Sequence, residues 1–490
     1  MQRTDSLAAA AAYFDGGGFF ADLQRRVAFR TESDTGAATP ALEAYLREEM
    51  IPPLAALGFG CEVIANPVPG GGPFLIARRI EDPALPTVMT YGHGDVVSGQ
   101  DAHWEEGLAP WALTVRGERW YGRGTADNKG QHSINLGGLA AALEARGGRL
   151  GYNVTWLVEM GEEAASPGLH AVCAQERDKL RADLFIASDG PRVSAARPTL
   201  FLGSRGAVNF SLRLRARPRG YHSGNWGGVL VNPGTVLSHA VASLADARGR
   251  ILVEALRPPP VPQAVRDALA GIAIGGGTDD PAIDEGWGEP GLSPAERLVA
   301  WNTIEVLALG AGSAQRPVNA IPGEAVAHCQ LRFVVGTPWQ ELRQIVRAHL
   351  DAHGFPQVEV EVTLTGAATR LDVDNPWVGW ARRSIERSSG QPLDLLPNLA
   401  GSLPNDVFAD LLGLPTLWVP HSYPACAQHA PNEHLLAPLA RDGLRIMAGL
   451  YWDLGEPGAA PWAAGTASTA GTPGTSASQS SSASSRSSTS

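Results

Sequence analysis

Cysteine is scarce, with four in 490 residues (Cys61, Cys173, Cys329 and Cys426). Their number and scatter exclude a disulfide framework or a CxxC zinc site and fit a reducing compartment. Positive charge is also short. Thirty-nine Lys and Arg against fifty Asp and Glu leave a net charge of −11, whereas nucleic-acid binding needs a cationic surplus. No apolar run approaches the roughly 20 residues that cross a bilayer. The N-terminal alanine run is preceded by Asp5 and followed by Asp15, unlike a secretory signal. The expectation is a soluble cytoplasmic protein with no nucleic-acid partner and no membrane partner.

What is present is core-forming material: 44% of the side chains are hydrophobic, and the length allows about three folding units. Thr87–Tyr91, Asn153–Val158 and Leu184–Ala187 read as buried strands. Asn128–Arg146 and Gly168–Leu180 read as the helices between them, with Ile134, Leu136, Leu139 and Leu143 on the first helix's apolar face. This alternation predicts an α/β fold whose mixed, largely parallel sheet is flanked by helices.

Near Gly206 the texture changes. Val208–Arg215, Ala325–Val334 and Val358–Leu364 alternate like antiparallel strands with one exposed face, separated by a Pro/Gly-rich stretch, Pro258–Pro294. Helix-then-strand alternation resumes at Pro376 and ends in the strand Thr416–Val419. The expected division is a catalytic domain at 1–206 and 376–456, interrupted by an inserted α+β domain at 207–375. A Ser/Ala/Gly/Thr-rich tail at 457–490 has too little apolar surface to offset its ordering entropy and is expected to be disordered.

Five short segments place polar residues where strands should end. In Tyr91-Gly-His93-Gly-Asp95, residues two apart share a side, so His93 could bind a metal while Asp95 orients it. Taken alone, such a pair is more often an ordinary surface or core feature. Gly122–Gly130 contains Asp127, which would also serve as a helix N-cap. It is no nucleotide loop, because Asp127 stands where a dinucleotide fingerprint has its third glycine. Glu162 and Glu163 follow a strand and Gly161. Neighbouring carboxylates repel unless a cation or a proton lies between them, although a solvated acidic turn would look the same. Asp189 follows the strand LFIAS, and His429 opens His-Ala-Pro-Asn-Glu433. Each signal is weak alone; together they put acids and histidines at successive strand ends, where open α/β sheets build sites.

Three carboxylates facing two divalent cations leave one positive charge, which hydroxide would neutralise. A metal can lower the pKa of its water to about 7, so that hydroxide is available. A further carboxylate must then move protons, and Glu162, beside Glu163, is placed for it.

In order and spacing, these segments resemble the M20 metallopeptidases, the group of carnosinase-like dipeptidases, carboxypeptidases and acetylornithine and succinyl-diaminopimelate deacylases. The resemblance spans about residues 15–455. It implies that Asp127 bridges two divalent ions, zinc by expectation, with manganese or cobalt as alternatives. His93 and Asp189 would complete one site, and Glu163 and His429 the other. Glu162 would be the general base and acid, and Asp95 the partner of His93. A cis peptide is implied at Asp127–Asn128. The inserted domain would act as a lid and form a homodimer. In Tyr221-His222-Ser223-Gly224, His222 would reach the partner subunit's site and stabilise the oxyanion. Arg332 would hold the substrate carboxylate, Asn319 would contact substrate, and Gly401 and Ser402 would offer backbone hydrogen bonds.

Asp189 and the His222 segment resemble the dipeptidase branch, so hydrolysis of a dipeptide or short peptide is expected. The alternatives are an N-acyl-amino-acid amidohydrolase with the same machinery or, more remotely, an inactive binding homologue. The stretch His421–Gln428 departs from the carnosinase pattern, which is acidic and contains glycine there.

Overall fold

Uninterrupted apolar runs form the centre of the fold, because a strand covered on both faces has no polar side to show. The computed structural model describes residues 2–34, 39–276 and 281–462. In chain order the strands used below are β1 (Gly60–Ile64), β2 (Phe74–Arg79), β3 (Thr87–His93), β4 (Asn153–Glu159), β5 (Leu184–Ala187) and β6 (Thr199–Phe201). There follow β7 (Gly206–Arg215), β8 (Thr303–Gly310), β9 (Glu324–Phe333), β10 (Glu359–Gly366), β11 (Asp394–Leu396) and β12 (Thr416–Trp418).

Eight of these make one mixed sheet in the order β1-β2-β4-β3-β5-β12-β6-β11. Its central pairs are parallel: Thr87 to His93 run beside Asn153 to Glu159, and Thr416 lies beside Phe185. One face packs against helices Arg3–Asp15, Lys129–Ala145, Pro376–Ser389 and Ala437–Leu454. Lys129–Ala145 is buried nearly all round, because Ala437–Leu454 lies directly on it. Gly138 makes that approach possible, since a Cβ there would meet the Met447 Cβ at 2.7 Å. The other face carries Leu169, Val172, Val265, Val299 and Phe408. Helices Gln263–Leu269 and Pro294–Val299, though drawn from the middle of the chain, therefore pack on the main sheet.

A second, antiparallel sheet has the order β8-β9-β7-β10. One face is covered by helices Pro233–Leu244 and Leu342–Ala352 over Val208, Leu212, Leu331 and Val360. The outer edge β8 leaves Val306, Leu307 and Leu309 exposed.

Two expectations change in detail. The helix foreseen over 168–180 ends at Gln175; the polar run Glu176–Lys179 has no apolar face and forms turns until Leu180 enters the core. Part of the tail expected from Pro457 is packed against the main domain. Trp462 packs edge-on to Trp377 at 4.8 Å, and its Nε1 donates to the Leu454 carbonyl at 3.0 Å. Residues 463–490 lie outside the described residues. Among the described residues, no helix is long and apolar enough to cross a membrane.

Candidate metal centre

The parallel strands all deliver their carboxyl ends to one edge of the main sheet. His93 is the last residue of β3 and pairs across the ladder with Glu159, three residues before Glu162. Asp189 follows β5, and Asp127 sits in the turn before helix Lys129–Ala145. His429 comes from the loop after β12. There Ala427, His429 and Asn432 take left-handed backbone at φ 56°, 61° and 64°, an arrangement costing roughly 1 kcal/mol or more per residue. Surrounding bonds hold that loop: Gln100 Nε2 donates to the His429 carbonyl, and Asn432 Oδ1 accepts the Glu105 amide at 2.9 Å.

Asp127 stands between two groups of donors. Its Oδ1 lies 3.0 Å from His93 Nε2, which is itself 3.6 Å from Asp189 Oδ2. Its Oδ2 lies 3.0 Å from His429 Nε2, which is 3.1 Å from Glu163 Oε2. Ligand atoms of His93, Asp127 and Glu163 all fall within 4.8 Å of one another, a spacing that could hold a metal ion. Glu162 Oε2 stands 3.9 Å from His93 Nε2. Gln428 also donates its side-chain amide to Asp127 Oδ2.

Two carboxylate oxygens here, Glu163 Oε1 and Asp189 Oδ2, are buried without a hydrogen-bond partner. Native proteins rarely leave such atoms unsatisfied, and a cation satisfies both. Charge points the same way. Burial and the Asp127 charge push Glu163 and Asp189 up to about 7, and burial pushes Glu162 well above the usual range. Burial also works against ionised Asp127, yet hydrogen bonds from His429 and His93 hold it well below the carboxylate range. Contacts with Asp127 and Glu163 push His429 up to about 11. Burial opposes the charged form of His93, but Asp127 and Asp95 override it and raise the pKa well above its ordinary value. Acids and imidazoles alike hold protons that a divalent cation would replace. The nitrogen and oxygen donors therefore fit a metal ion.

Supporting groups fix these side chains. The Asp95 carboxylate accepts the backbone amides of Glu162 and Glu163 at 3.1 and 3.0 Å and the Ser33 hydroxyl at 2.6 Å. His93 Nδ1 lies closer to the Asp95 backbone carbonyl, 3.1 Å, than to its carboxylate, 3.4 Å. Asp95 thus orients the imidazole largely through its main chain, while its side chain caps the glutamate turn. The Asp127–Asn128 peptide is cis, and Asn128 Nδ2 donates to the Ser188 carbonyl at 2.8 Å. Glu433, in the His429 segment, has no role that the sequence alone suggests. Buried, it accepts the amides of Gly124, Ala126 and Asp127 and pairs with Arg123 at 2.8 Å.

Among the described residues, the remaining candidates make no hydrogen bond or ion pair to this cluster. His222 is exposed on a two-stranded ribbon with Ala320–Ile321, its Nδ1 accepting the Gly224 amide. Asn319 is its neighbour, accepting the Ser223 amide through its carbonyl at 2.9 Å. Among the described residues neither makes a polar contact with the cluster. Arg332, on β9, reaches the main domain: its Nη1 donates to Ser402 Oγ at 2.9 Å, beside Gly401.

The sequence pattern of peptidase family M20/M25/M40 matches residues 89–453. Beta-Ala-His dipeptidase of Mus musculus is 26% identical over 464 residues, 87% of this chain and 91% of its own length. Cys-Gly metallodipeptidase DUG1 of Saccharomyces cerevisiae is 25% identical over 420 residues, 80% and 84% of the two chains. In fold, human carnosine dipeptidase 1 gives a TM-score of 0.74 at 21% identity over 92% of this chain and 98% of that one. The M20 metallo-carboxypeptidase Sso-CP2 of Sulfolobus solfataricus gives 0.75 at 22% identity, over 89% and 98%. With the family pattern spanning the donor cluster from β3 to the last helix, the chain is a member of peptidase family M20/M25/M40, an M20 metallopeptidase.

Proposed function

We infer that the protein hydrolyses dipeptides or short peptides with two divalent ions. His93, Asp127 and Asp189 would hold one ion, and Asp127, Glu163 and His429 the other. One observation carries this reading: each oxygen of Asp127 faces a separate imidazole, and each side has its own orphaned carboxylate oxygen, on Asp189 and on Glu163. Nitrogen and oxygen donors suit zinc, and manganese or cobalt are the alternatives.

When bound, the ions supply Lewis acidity to the scissile carbonyl and make water acidic enough to ionise near neutral pH. Glu162 takes the proton of the attacking water and returns it to the leaving amine; its carboxyl, raised by burial, is suited to both transfers. Asp95 keeps the glutamate turn and His93 in place. Arg332 holds the substrate's terminal carboxylate, with Asn319, Gly401 and Ser402 as further contacts. His222, exposed and without a polar contact to the cluster among the described residues of its own chain, stabilises the oxyanion in a partner subunit's site. Within 207–375, the second sheet and its covering helices act as lid and dimerisation domain, while helices Gln263–Leu269 and Pro294–Val299 stay on the main sheet; the apolar side chains on the edge strand β8 support pairing with a second copy. Three buried free thiols, Cys173, Cys329 and Cys426, suit a reducing, cytoplasmic setting.

The names of the relatives, a Beta-Ala-His dipeptidase and a Cys-Gly dipeptidase, support dipeptide substrates. The test is a panel of dipeptides, tripeptides and N-acyl amino acids assayed with zinc, manganese and cobalt. Dipeptides should turn over fastest; preferential cleavage of N-acyl amino acids would replace this reading with an amidohydrolase.

A further inference from the structure

A cavity of about 450 Å³ opens beside Glu162 and Glu163 and runs between the main sheet and the second sheet. Its size suits a small ligand or one side chain with its backbone. The walls are mixed: Leu169, Leu364, Leu403 and Val407 supply apolar surface, and Ser166, His170 and Thr365 polar groups. Ser402 lies on its lining, and Ser402 Oγ is the atom that receives Arg332 Nη1. A substrate whose terminal carboxylate meets Arg332 would therefore lie beside Ser402, on the lining of this space.

Apart from the catalytic pair, Asp406 is the one carboxylate lining the cavity. Among the described residues no Lys or Arg pairs with it. Burial raises its pKa, while its own amide, the Val407 amide and the nearby His170, also on the lining, work the other way. This is a half-buried anion beside the apolar side chains of Leu403 and Val407, with no full cationic partner, which a substrate cation would satisfy.

We propose that this cavity receives the side chain of the substrate's C-terminal residue and that Asp406 selects lysine or arginine there. The aliphatic stem of either residue would lie along Leu169 and Val407 while its charged head meets the carboxylate. Arginine could engage it with two parallel hydrogen bonds. The assignment rests on the dipeptidase reading and on Arg332 as the carboxylate anchor.

The metal-loaded enzyme is assayed on Ala-Lys, Ala-Arg, Ala-Leu, Ala-Glu and Lys-Ala. Ala-Lys and Ala-Arg should be preferred over Ala-Leu. Asp406→Asn should lower the Ala-Lys to Ala-Leu ratio of kcat/KM about ten- to a hundredfold, the worth of one charge-assisted hydrogen bond, mainly through KM. Asp406→Lys should shift preference towards Ala-Glu, an outcome that a merely structural role would not produce. Calorimetric binding of Ala-Lys and Ala-Leu to the Glu162→Gln protein should show the same discrimination without turnover. Hydrolysis of dipeptides with a ratio unmoved by either Asp406 variant overturns the subsite alone. A shift seen on Lys-Ala instead overturns its assignment to the C-terminal side. If no dipeptide is hydrolysed with any metal, the dipeptidase reading falls and the subsite falls with it.

Discussion

The buried Glu433 carboxylate accepts the backbone amide of Asp127 at 3.1 Å. The same oxygen takes the Ala126 amide at 2.9 Å, and the other takes Gly124 at 3.0 Å and Arg123 Nη1 at 2.8 Å. One anion thereby gathers the turn that presents Asp127. Because Glu433 lies four residues after His429, it also ties the two donor loops together. Arg123 and Glu433 are each about 1% exposed, so each depends on the other for its charge.

Glu433→Gln should therefore be costly despite its equal size. A side-chain amide turned towards Arg123 and three backbone donors meets their N–H groups with its own. Removing one member of a buried pair costs roughly 3–5 kcal/mol, and loosening a ligand's support weakens metal binding by about ten- to a hundredfold. Urea unfolding and a competitive chelator titration would measure both, and wild-type values in both would reject the positioning role.

Glu162→Gln should keep its metal and lose turnover. Glu162 stands 3.9 Å from His93 Nε2, and the amide cannot carry a proton. The expected loss in kcat is roughly 10²–10⁴-fold, at unchanged metal content by elemental analysis. Activity near wild type would remove Glu162 from the chemistry.

Much of the frame was legible because buried parallel strands are continuous apolar runs: β3, β4, β5 and β12 fall within about two residues of their expected limits. The candidate donors stand out in the sequence for a related reason, since acids and histidines directly after such runs are conspicuous, and the fold brings His93, Asp127 and Glu163 together. Contacts between distant segments were not. Glu433 looks like any acid in a polar loop until Gly124, Ala126 and Asp127 are seen to converge on it. Trp462 looked like part of the tail because its partners, Trp377 and Tyr152, lie 85 and 310 positions away in the chain. The departure over His421–Gln428 was visible, but the reach of Gln428 to Asp127 depends on a loop whose left-handed residues carry no sequence mark.

Metal binding should release protons. His429 is raised to about 11 by Asp127 and Glu163, and Glu163 itself to about 7, so at neutral pH without metal His429 carries a proton and Glu163 is about half protonated. A metal replaces those protons, and affinity should therefore fall as pH falls. Titration calorimetry of the chelator-treated protein in buffers of different ionisation heat should find release of about one proton or more per metal, about two metals per chain, and restored activity. Proton-neutral binding would contradict the charge balance of the cluster.

Stability should also fall on mild acidification through His421, away from the donor cluster. Both its ring nitrogens are buried without a hydrogen-bond partner, and the ring is packed against Gly443, where a Cβ would come within 2.8 Å of Nδ1. Burial, helped by the nearby Arg192 charge, lowers its pKa well below 6.5. Below about pH 6.5 the unfolded chain binds a proton that the folded chain refuses, so stability rises with pH in this window and is lost as pH falls. The loss is about 1.4 kcal/mol per pH unit, or roughly 2 kcal/mol between pH 6.5 and 5. His421→Leu removes the proton site and both unpartnered nitrogens at similar volume, so it should be near neutral at about pH 7.5. The two urea unfolding free energies should then separate by roughly 2 kcal/mol in favour of the variant as pH approaches 5. Parallel curves over that range would mean that the folded chain protonates His421 as readily as the unfolded one.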